Sequence, residues 1–167
     1  IPYKKMEAWR SNFHGVQVRF KKTNFILYGS VDDIWLDTKN NSLILVDYKS
    51  QANENKVSQE TYWNGDFKTG YQRQLDFYFY LLKQQNFKET ISDDAYLLVV
   101  NARGLDEKFD KKLLFESTLI HTKVKDENLE EEIQEMIDVF NSDKVPESNK
   151  LCKNCAYARQ RSVIDKL

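Results

Sequence analysis

Residues 43–49 read LILVDYK, an apolar run that ends in an acid, an aromatic residue and a lysine. The aliphatic run predicts a strand, and side chains along a strand alternate between its two faces. Asp47 and Lys49 therefore point to one face, and Val46 and Tyr48 point to the other. An acid and a lysine at the end of an apolar strand are the first candidate functional group of this chain.

The preceding segment, residues 25–37, reads as one long strand that would pair with residues 43–49 as a hairpin. In such a hairpin Asp32 approaches Asp47. Two carboxylates at that separation suit Mg²⁺ or Mn²⁺, because hard divalent cations prefer oxygen ligands, and the backbone carbonyl of Tyr48 would add another oxygen. Such an ion lowers the pKa of bound water and polarises a phosphoryl oxygen, and a nearby ammonium orients the water or stabilises the transition state.

An alternative reading of this pattern stays open, because D-x-K is short. Asp47 and Lys49 would then form an ion pair on an edge strand, a contact that contributes at most about 1 kcal/mol when it is exposed. Asp32 would be an ordinary turn or bulge residue.

Apolar residues at helical spacing predict a helix over residues 70–86. Gln74 and Tyr78 are four residues apart and share one face of it. A glutamine amide on a mostly apolar helix is costly to bury without partners. We therefore expect a backbone group, a nucleotide or metal-bound water beside Gln74. Gln74 as a surface residue and Tyr78 as a plain core aromatic are the alternatives.

The remaining pattern completes an α/β domain with a mixed central sheet flanked by helices, in the order αβββαβ followed by a strand and a helix. The further elements are a helix at 3–12, strands at 16–20, 95–102 and 113–122, a polar loop at 51–68 and an amphipathic helix at 127–141. The continuous apolar run at 95–102 is typical of a central strand. We expect one domain over 1–167, with a C-terminal tail at 150–167. Because the chain begins at Ile1 instead of Met, we also expect that an N-terminal segment is missing.

Composition excludes several classes of protein. The 167 residues are 41% apolar and 13% aromatic, which is too much for a disordered chain. No apolar run reaches the roughly 18 residues of a membrane helix, and no signal peptide is visible, so we expect a cytoplasmic protein with no membrane partner. The net charge is −1, so any contact with nucleic acid needs a local basic patch.

Basic and aromatic residues near the predicted sheet end could form that patch. The basic candidates are Lys68, Arg73, Arg103, Lys111 and Lys112. Tyr62 and Trp63 could stack on bases. The alternative is that these charges are solvated and these aromatic rings are packed.

Three motifs together resemble the PD-(D/E)XK nuclease superfamily, and specifically its RecB-type branch. That branch shows G-x-[VI]-D, then an apolar strand ending in D-x-K, then a helix with Q-x-x-x-Y. This chain has GSVD at 29–32, LILVDYK at 43–49 and QLDFY at 74–78, in the same order. The resemblance implies a restriction-endonuclease-like core.

The resemblance also implies roles for the motif residues. Asp32 and Asp47 would bind Mg²⁺ or Mn²⁺, Lys49 would be the catalytic lysine, and Gln74 and Tyr78 would act near the site or on DNA. The implied function is metal-dependent hydrolysis of DNA in repair, recombination or defence, with a helicase or another subunit as partner. A catalytically inactive module that binds nucleic acid or a partner protein is the alternative.

Members of this family often carry one more acidic residue or a histidine on an early helix. Glu7 is the only carboxylate of the first predicted helix, and His14 is the nearest histidine. Neither lies in a matching motif, so the missing N-terminal segment would supply that residue. Asp33 follows Asp32 directly and would point to the opposite face, which makes it the second choice for the site.

Cys152 and Cys155 form a C-x-x-C pattern, which is half of a zinc or iron–sulfur site. The chain has no other cysteine. Three readings stay open: a structural or redox pair, a half-site completed in a longer protein, and an intact site within this chain. Some RecB-type nucleases join C-terminal and upstream cysteines through an iron–sulfur cluster, but this chain lacks their three-cysteine C-terminal group.

Overall fold

The computed structural model describes residues 5–65, 68–102 and 114–164. The chain divides into two compact units, Ile1–Glu127 and Asn128–Leu167. Every described strand belongs to the first unit. Three residues of the predicted basic patch, Arg103, Lys111 and Lys112, lie outside the described residues.

The described strands form two sheets. A small antiparallel sheet pairs β1 (Val16–Arg19) with β2 (Ile26–Gly29). A four-stranded sheet has the order β3-β4-β5-β6, with β3 at Asp33–Asp37, β4 at Ser42–Ala52, β5 at Thr90–Ala102 and β6 at Phe115–Lys123. The β4–β5 pair is parallel and the two outer pairs are antiparallel. The prediction of a mixed sheet, with the apolar run 95–102 in a central strand, is confirmed.

Three helices belong to the first unit and two to the second. They are α1 (Met6–Arg10), α2 (Gln59–Tyr62), α3 (Lys68–Lys83), α4 (Leu129–Phe140) and α5 (Lys153–Ile164). The α2–α3 segment is the crossover that a parallel β4–β5 pair requires, and α3 contacts both of these strands as well as β1 and β2. Within the described residues, no helix is long and apolar enough to cross a bilayer.

The prediction of one long strand over residues 25–37 is wrong. The segment is divided into β2 and β3, which belong to different sheets. Between them the backbone bonds to the end of α1: the Val31 N–H donates to the Trp9 carbonyl at 3.0 Å, and Arg10 Nε donates to the Asp32 carbonyl at 2.6 Å. These hydrogen bonds to α1 take the place of hydrogen bonds within a sheet, so β2 ends before β3 begins.

Two further boundaries differ from the sequence-based expectation. The loop predicted over 51–68 is shorter, because β4 continues to Ala52 opposite Ala102 of β5, and α2 follows within the same segment. The segment expected to be a tail contains α5, a helix with no buried residue.

Side-chain amides cover part of β6, which is an edge of the sheet among the described strands. Gln59 Nε2 donates to the His121 carbonyl at 2.9 Å, and Gln59 Oε1 accepts from the His121 N–H at 2.7 Å. Gln72 Nε2 donates to the Lys123 carbonyl at 2.9 Å. These bonds tie α2 and α3 to the sheet edge.

Candidate active site

Strand β4 carries Asp47 and Lys49 on one face, as the alternation predicts. Asp47 is only 2% exposed, and its Oδ2 forms an ion pair with Lys49 Nζ. Tyr48, on the other face, is 46% exposed. Because β4 lies between β3 and β5 and Asp47 is buried, the reading of an exposed ion pair on an edge strand is wrong.

Asp32 reaches β4 from the segment just before β3. The antiparallel register sets Asp33 opposite Val46, which brings Asp32 level with Asp47. Asp32 Oδ2 accepts a hydrogen bond from the Tyr48 N–H at 2.8 Å. The hairpin therefore brings the two predicted carboxylates to the same end of the β3–β4 pair.

Burial raises the pKa of the Asp47 carboxyl above its usual value, and the Asp32 charge raises it further, while Lys49 opposes both effects. Removing a carboxylate from water disfavours its charged form, and a second carboxylate nearby acts in the same direction. A buried acid with a perturbed pKa and a specific charged partner is typical of functional sites.

Gln74 and Tyr78 extend this group along α3. Lys49 Nζ donates to Gln74 Oε1 at 2.9 Å, and Gln74 Nε2 donates to the Tyr78 hydroxyl at 2.8 Å. The partners of the Gln74 amide are thus two side chains, not a backbone group. Tyr78 is a buried core aromatic that also bonds Gln74, and its role near the site stays a prediction.

Gly29, the first residue of the GSVD motif, lets α3 come close to β2. A Cβ at this position would lie 2.7 Å from a ring carbon of Tyr78 and 3.0 Å from a methyl carbon of Leu81. Any side chain here would push the Tyr78 ring away. The glycine therefore acts through packing, by leaving room for a residue that bonds Gln74.

Sequence reasoning missed Tyr71, whose ring lies close to two ammonium groups. Lys49 Nζ is 4.8 Å and Lys68 Nζ is 5.1 Å from its centroid. An ammonium near an aromatic face is attracted by the ring quadrupole. Helical spacing could have found this residue, because Tyr71, Gln74 and Tyr78 are three and four residues apart and share one face.

A second group of polar residues lies on the opposite face of the β3–β4 pair. Asp33 Oδ2 accepts from the Tyr48 hydroxyl at 2.6 Å, and Asp33 Oδ1 accepts from Arg10 at 2.8 Å and from the Ile34 N–H at 2.9 Å. Asp33 thus lies away from Asp47, as predicted. Arg10 was missed because nothing in the pattern of a short helix indicates a contact 22 residues away.

The other early candidates lie elsewhere. Glu7 is exposed on α1, and His14 is exposed and bonds the Ser11 hydroxyl at 3.1 Å. No described contact joins either residue to the two carboxylates of the site. Trp63 packs edge-on against Tyr62 with their ring centroids 5.5 Å apart.

Cys152 and Cys155 are joined as a disulfide at the start of α5. This matches the reading of a structural or redox pair. An intact cluster site within this chain is wrong, because the sequence has no third cysteine and no third ligand joins these two within the described residues. The half-site of a longer protein stays a prediction.

The oxygen donors of the site suit a hard divalent ion. Asp47 Oδ2 accepts no well-directed hydrogen bond within the described residues. The described part of the chain has no group of three or more acidic, histidine or cysteine residues that could hold a metal. Mg²⁺ nevertheless commonly uses one or two carboxylates, with water and substrate phosphate as its other ligands. Asp32 and Asp47 therefore fit, and the Tyr48 carbonyl stays a prediction.

Comparison with known families identifies the superfamily of the chain. A family model described as the PD-(D/E)XK nuclease superfamily matches residues 3–160. Comparisons with curated proteins and with solved structures give no match. The mixed sheet flanked by helices is the restriction-endonuclease-like fold of that superfamily, with D-x-K on β4. The chain belongs to the PD-(D/E)XK nuclease superfamily.

Proposed function

We propose that this protein is a metal-dependent deoxyribonuclease of the RecB-type branch that hydrolyses DNA phosphodiester bonds. Its setting would be repair, recombination or defence, with any helicase activity supplied by a partner. The observation that carries the proposal is the ion pair of the buried Asp47 with Lys49, which is bonded onward to Gln74 and is close enough to Asp32 for the two carboxylates to interact.

Asp32 and Asp47 would hold Mg²⁺ or Mn²⁺. When bound, the ion would polarise a phosphoryl oxygen and lower the pKa of a water molecule. The raised pKa of Asp47 supports this role, because a nearby cation would favour the charged form that burial disfavours. The Tyr48 N–H keeps the Asp32 carboxylate oriented toward β4.

Lys49 would act on the phosphate or on the attacking water. An ammonium has three N–H donors. One donates to Gln74, while the charge of the ammonium pairs with Asp47. An N–H that Gln74 does not use can donate to a phosphoryl oxygen or a water molecule, and Gln74, itself bonded to Tyr78, keeps the ammonium from turning away. Pre-positioned charge of this kind is a large contribution to transition-state stabilisation.

The test is cleavage of labelled single-stranded and double-stranded DNA with Mn²⁺, with Mg²⁺ and with EDTA. We expect metal-dependent cleavage by the wild type and none by Asp47→Ala. Asp37→Ala is the matched control, because Asp37 is a half-buried carboxylate at the far end of β3 that bonds its own turn. This control should cleave like the wild type.

Retained cleavage by a folded Asp47→Ala protein would overturn the site assignment. Tight DNA binding by the wild type without cleavage or metal uptake would instead favour the inactive binding module. Calorimetric titration with Mn²⁺ measures the metal uptake independently of cleavage.

A further inference from the structure

An open pocket of about 530 Å³ lies at the far end of β4, beyond Lys49. Its volume is in the range of sites that bind small ligands. The residues that matter for its chemistry are polar or aromatic: Gln51, Asn53, Asn55, Lys56, Tyr62 and Lys68. We refer to it as the β4-end pocket.

The β4-end pocket continues the candidate active site. Asp47, Lys49 and Gln51 are every second residue of β4, so their side chains point to the same face. Gln51 is about 7 Å beyond Lys49 along the strand. Lys68 belongs to both regions. Its Nζ is 3.7 Å from the centroid of the Tyr62 ring in the pocket, and 5.1 Å from that of Tyr71 beside Lys49.

A buried amide fixes the rim of the pocket. Asn101 is 1% exposed. Its Oδ1 accepts from the Asn53 N–H at 3.0 Å, and its Nδ2 donates to the Asn53 carbonyl at 3.0 Å. The Asn55 N–H then donates to Asn53 Oδ1, also at 3.0 Å. Because burying an amide is costly unless its bonds are made, Asn101 acts as a positioning residue that holds the loop after β4 in one conformation.

The lining groups match the parts of a nucleotide. Amides such as that of Gln51 pair with base edges, and the ammonium groups of Lys56 and Lys68 attract phosphate. The Tyr62 ring is buried, and its hydroxyl has no hydrogen-bond partner within the described residues. A base stacked inside a duplex cannot enter a concave pocket.

We infer that the β4-end pocket binds one unpaired deoxynucleotide of the substrate strand, next to the phosphate that is cleaved at Asp47 and Lys49. This inference rests on the proposed nuclease function. It gives the enzyme a preference for single strands or frayed ends over paired DNA.

The test combines Gln51→Leu with Lys56→Ala, since Gln51 is half-buried and Lys56 is exposed, and neither belongs to the buried core. Lys39→Ala is the matched control, because Lys39 is an exposed lysine in the turn at the other end of β4. Fluorescence anisotropy in EDTA measures the binding of a labelled oligodeoxynucleotide, alone and annealed to its complement. No catalysis occurs under these conditions.

We expect the double variant to weaken single-strand binding by about ten-fold, since one base contact carries about 1–3 kcal/mol. Duplex binding should change less, and Lys39→Ala should bind both like the wild type. In the cleavage assay the double variant should raise KM more than it lowers kcat. A second variant, Lys56→Glu, replaces an exposed attraction with a repulsion and should also weaken single-strand binding.

Equal weakening by Lys39→Ala, or unchanged single-strand binding in the double variant and in Lys56→Glu, would overturn the pocket assignment. Failure of the proposed function looks different. In that case Asp47→Ala and the wild type would behave alike with Mn²⁺, whatever the binding assay shows.

Discussion

Asp33 and Asp47 lie on opposite faces of the β3–β4 pair, and their carboxylates differ in the hydrogen bonds that they accept. Asp33 accepts hydrogen bonds from Tyr48, Arg10 and the Ile34 N–H, and these bonds lower its pKa although burial alone would raise it. Asp47 is more deeply buried, with Lys49 as its partner, and its pKa is raised.

This difference separates a structural acid from a candidate functional acid. The bonds of Asp33 join α1 to the sheet, and little capacity remains for another ligand. The carboxylates of the other face lie near each other and repel. Such an arrangement costs stability in the absence of a cation, and it persists where a site needs charged oxygen atoms for a ligand.

The largest expected effect is on the cleavage rate, and it distinguishes Asp32 from the neighbouring Asp33. Asp32→Asn should lower the cleavage rate by about a hundred-fold or more, because one of the two charged ligands is lost. Asp33→Asn should keep most of the activity, because Asp33 lies on the other face. Single-turnover rates with saturating Mn²⁺ measure both. An equal loss of activity in the two variants would mean that carboxylates on both faces of the β3–β4 pair belong to one site.

The free energy of unfolding should respond in the reverse order, with a larger loss on the face of Asp33 than on the face of Asp47. Asp33→Ala should lower the free energy of unfolding by about 1–3 kcal/mol, because Tyr48 and Arg10 lose their acceptor. Asp47→Asn should leave it unchanged or raise it at neutral pH, since it removes a buried charge that is disfavoured in the fold. Urea denaturation without metal measures both values. A large loss in Asp47→Asn would contradict the comparison.

A smaller effect on kcat is expected for Gln74 on α3. Gln74→Leu should lower kcat by about ten-fold, because a hydrogen bond to the Lys49 ammonium is lost. Gln72→Leu is the matched control, since Gln72 bonds the edge of the sheet and not the site. The control should lose stability and keep kcat. If Gln74→Leu changed only stability, Gln74 would have no positioning role.

The smallest effect is the pH dependence. The folded pKa of Asp33 is lowered from 3.8. Its stabilising contribution is therefore complete above that value and is lost as the pH falls through the lower, folded pKa. Cleavage needs Asp47 charged to bind the metal, and at limiting Mn²⁺ it should fail earlier on acidification, because a proton competes for a carboxylate whose pKa is raised in the metal-free protein. Rate and unfolding profiles against pH measure the order, and stability failing first would contradict it.

The sequence predicted which side chains lie together better than it predicted the backbone around them. The alternation in β4 and the spacing of Gln74 and Tyr78 report side-chain environment directly. Residues 25–37 read as one strand because strand-forming residues stand on both sides of GSVDD, and this pattern does not show that the backbone at Val31 turns to bond Trp9.

Other features of the structure were missed for the same reason, because no local pattern in the sequence reports them. The contact of Arg10 with Asp33 joins distant segments, and a single sequence does not reveal such pairs. Helix α5 buries no residue, so it has no apolar stripe from which a helical period could be recognised. Tyr71 was within reach, because its place on the face of Gln74 follows from spacing alone.

The amides of Gln59 and Gln72 on β6 bear on how this protein behaves at high concentration. An open sheet edge presents free N–H and C=O groups that recruit strands from other molecules and lead to aggregation. Here the N–H and carbonyl of His121 and the carbonyl of Lys123 are already engaged. The two glutamines that attach the crossover to the sheet thus also block strand addition by a second molecule along this stretch of β6.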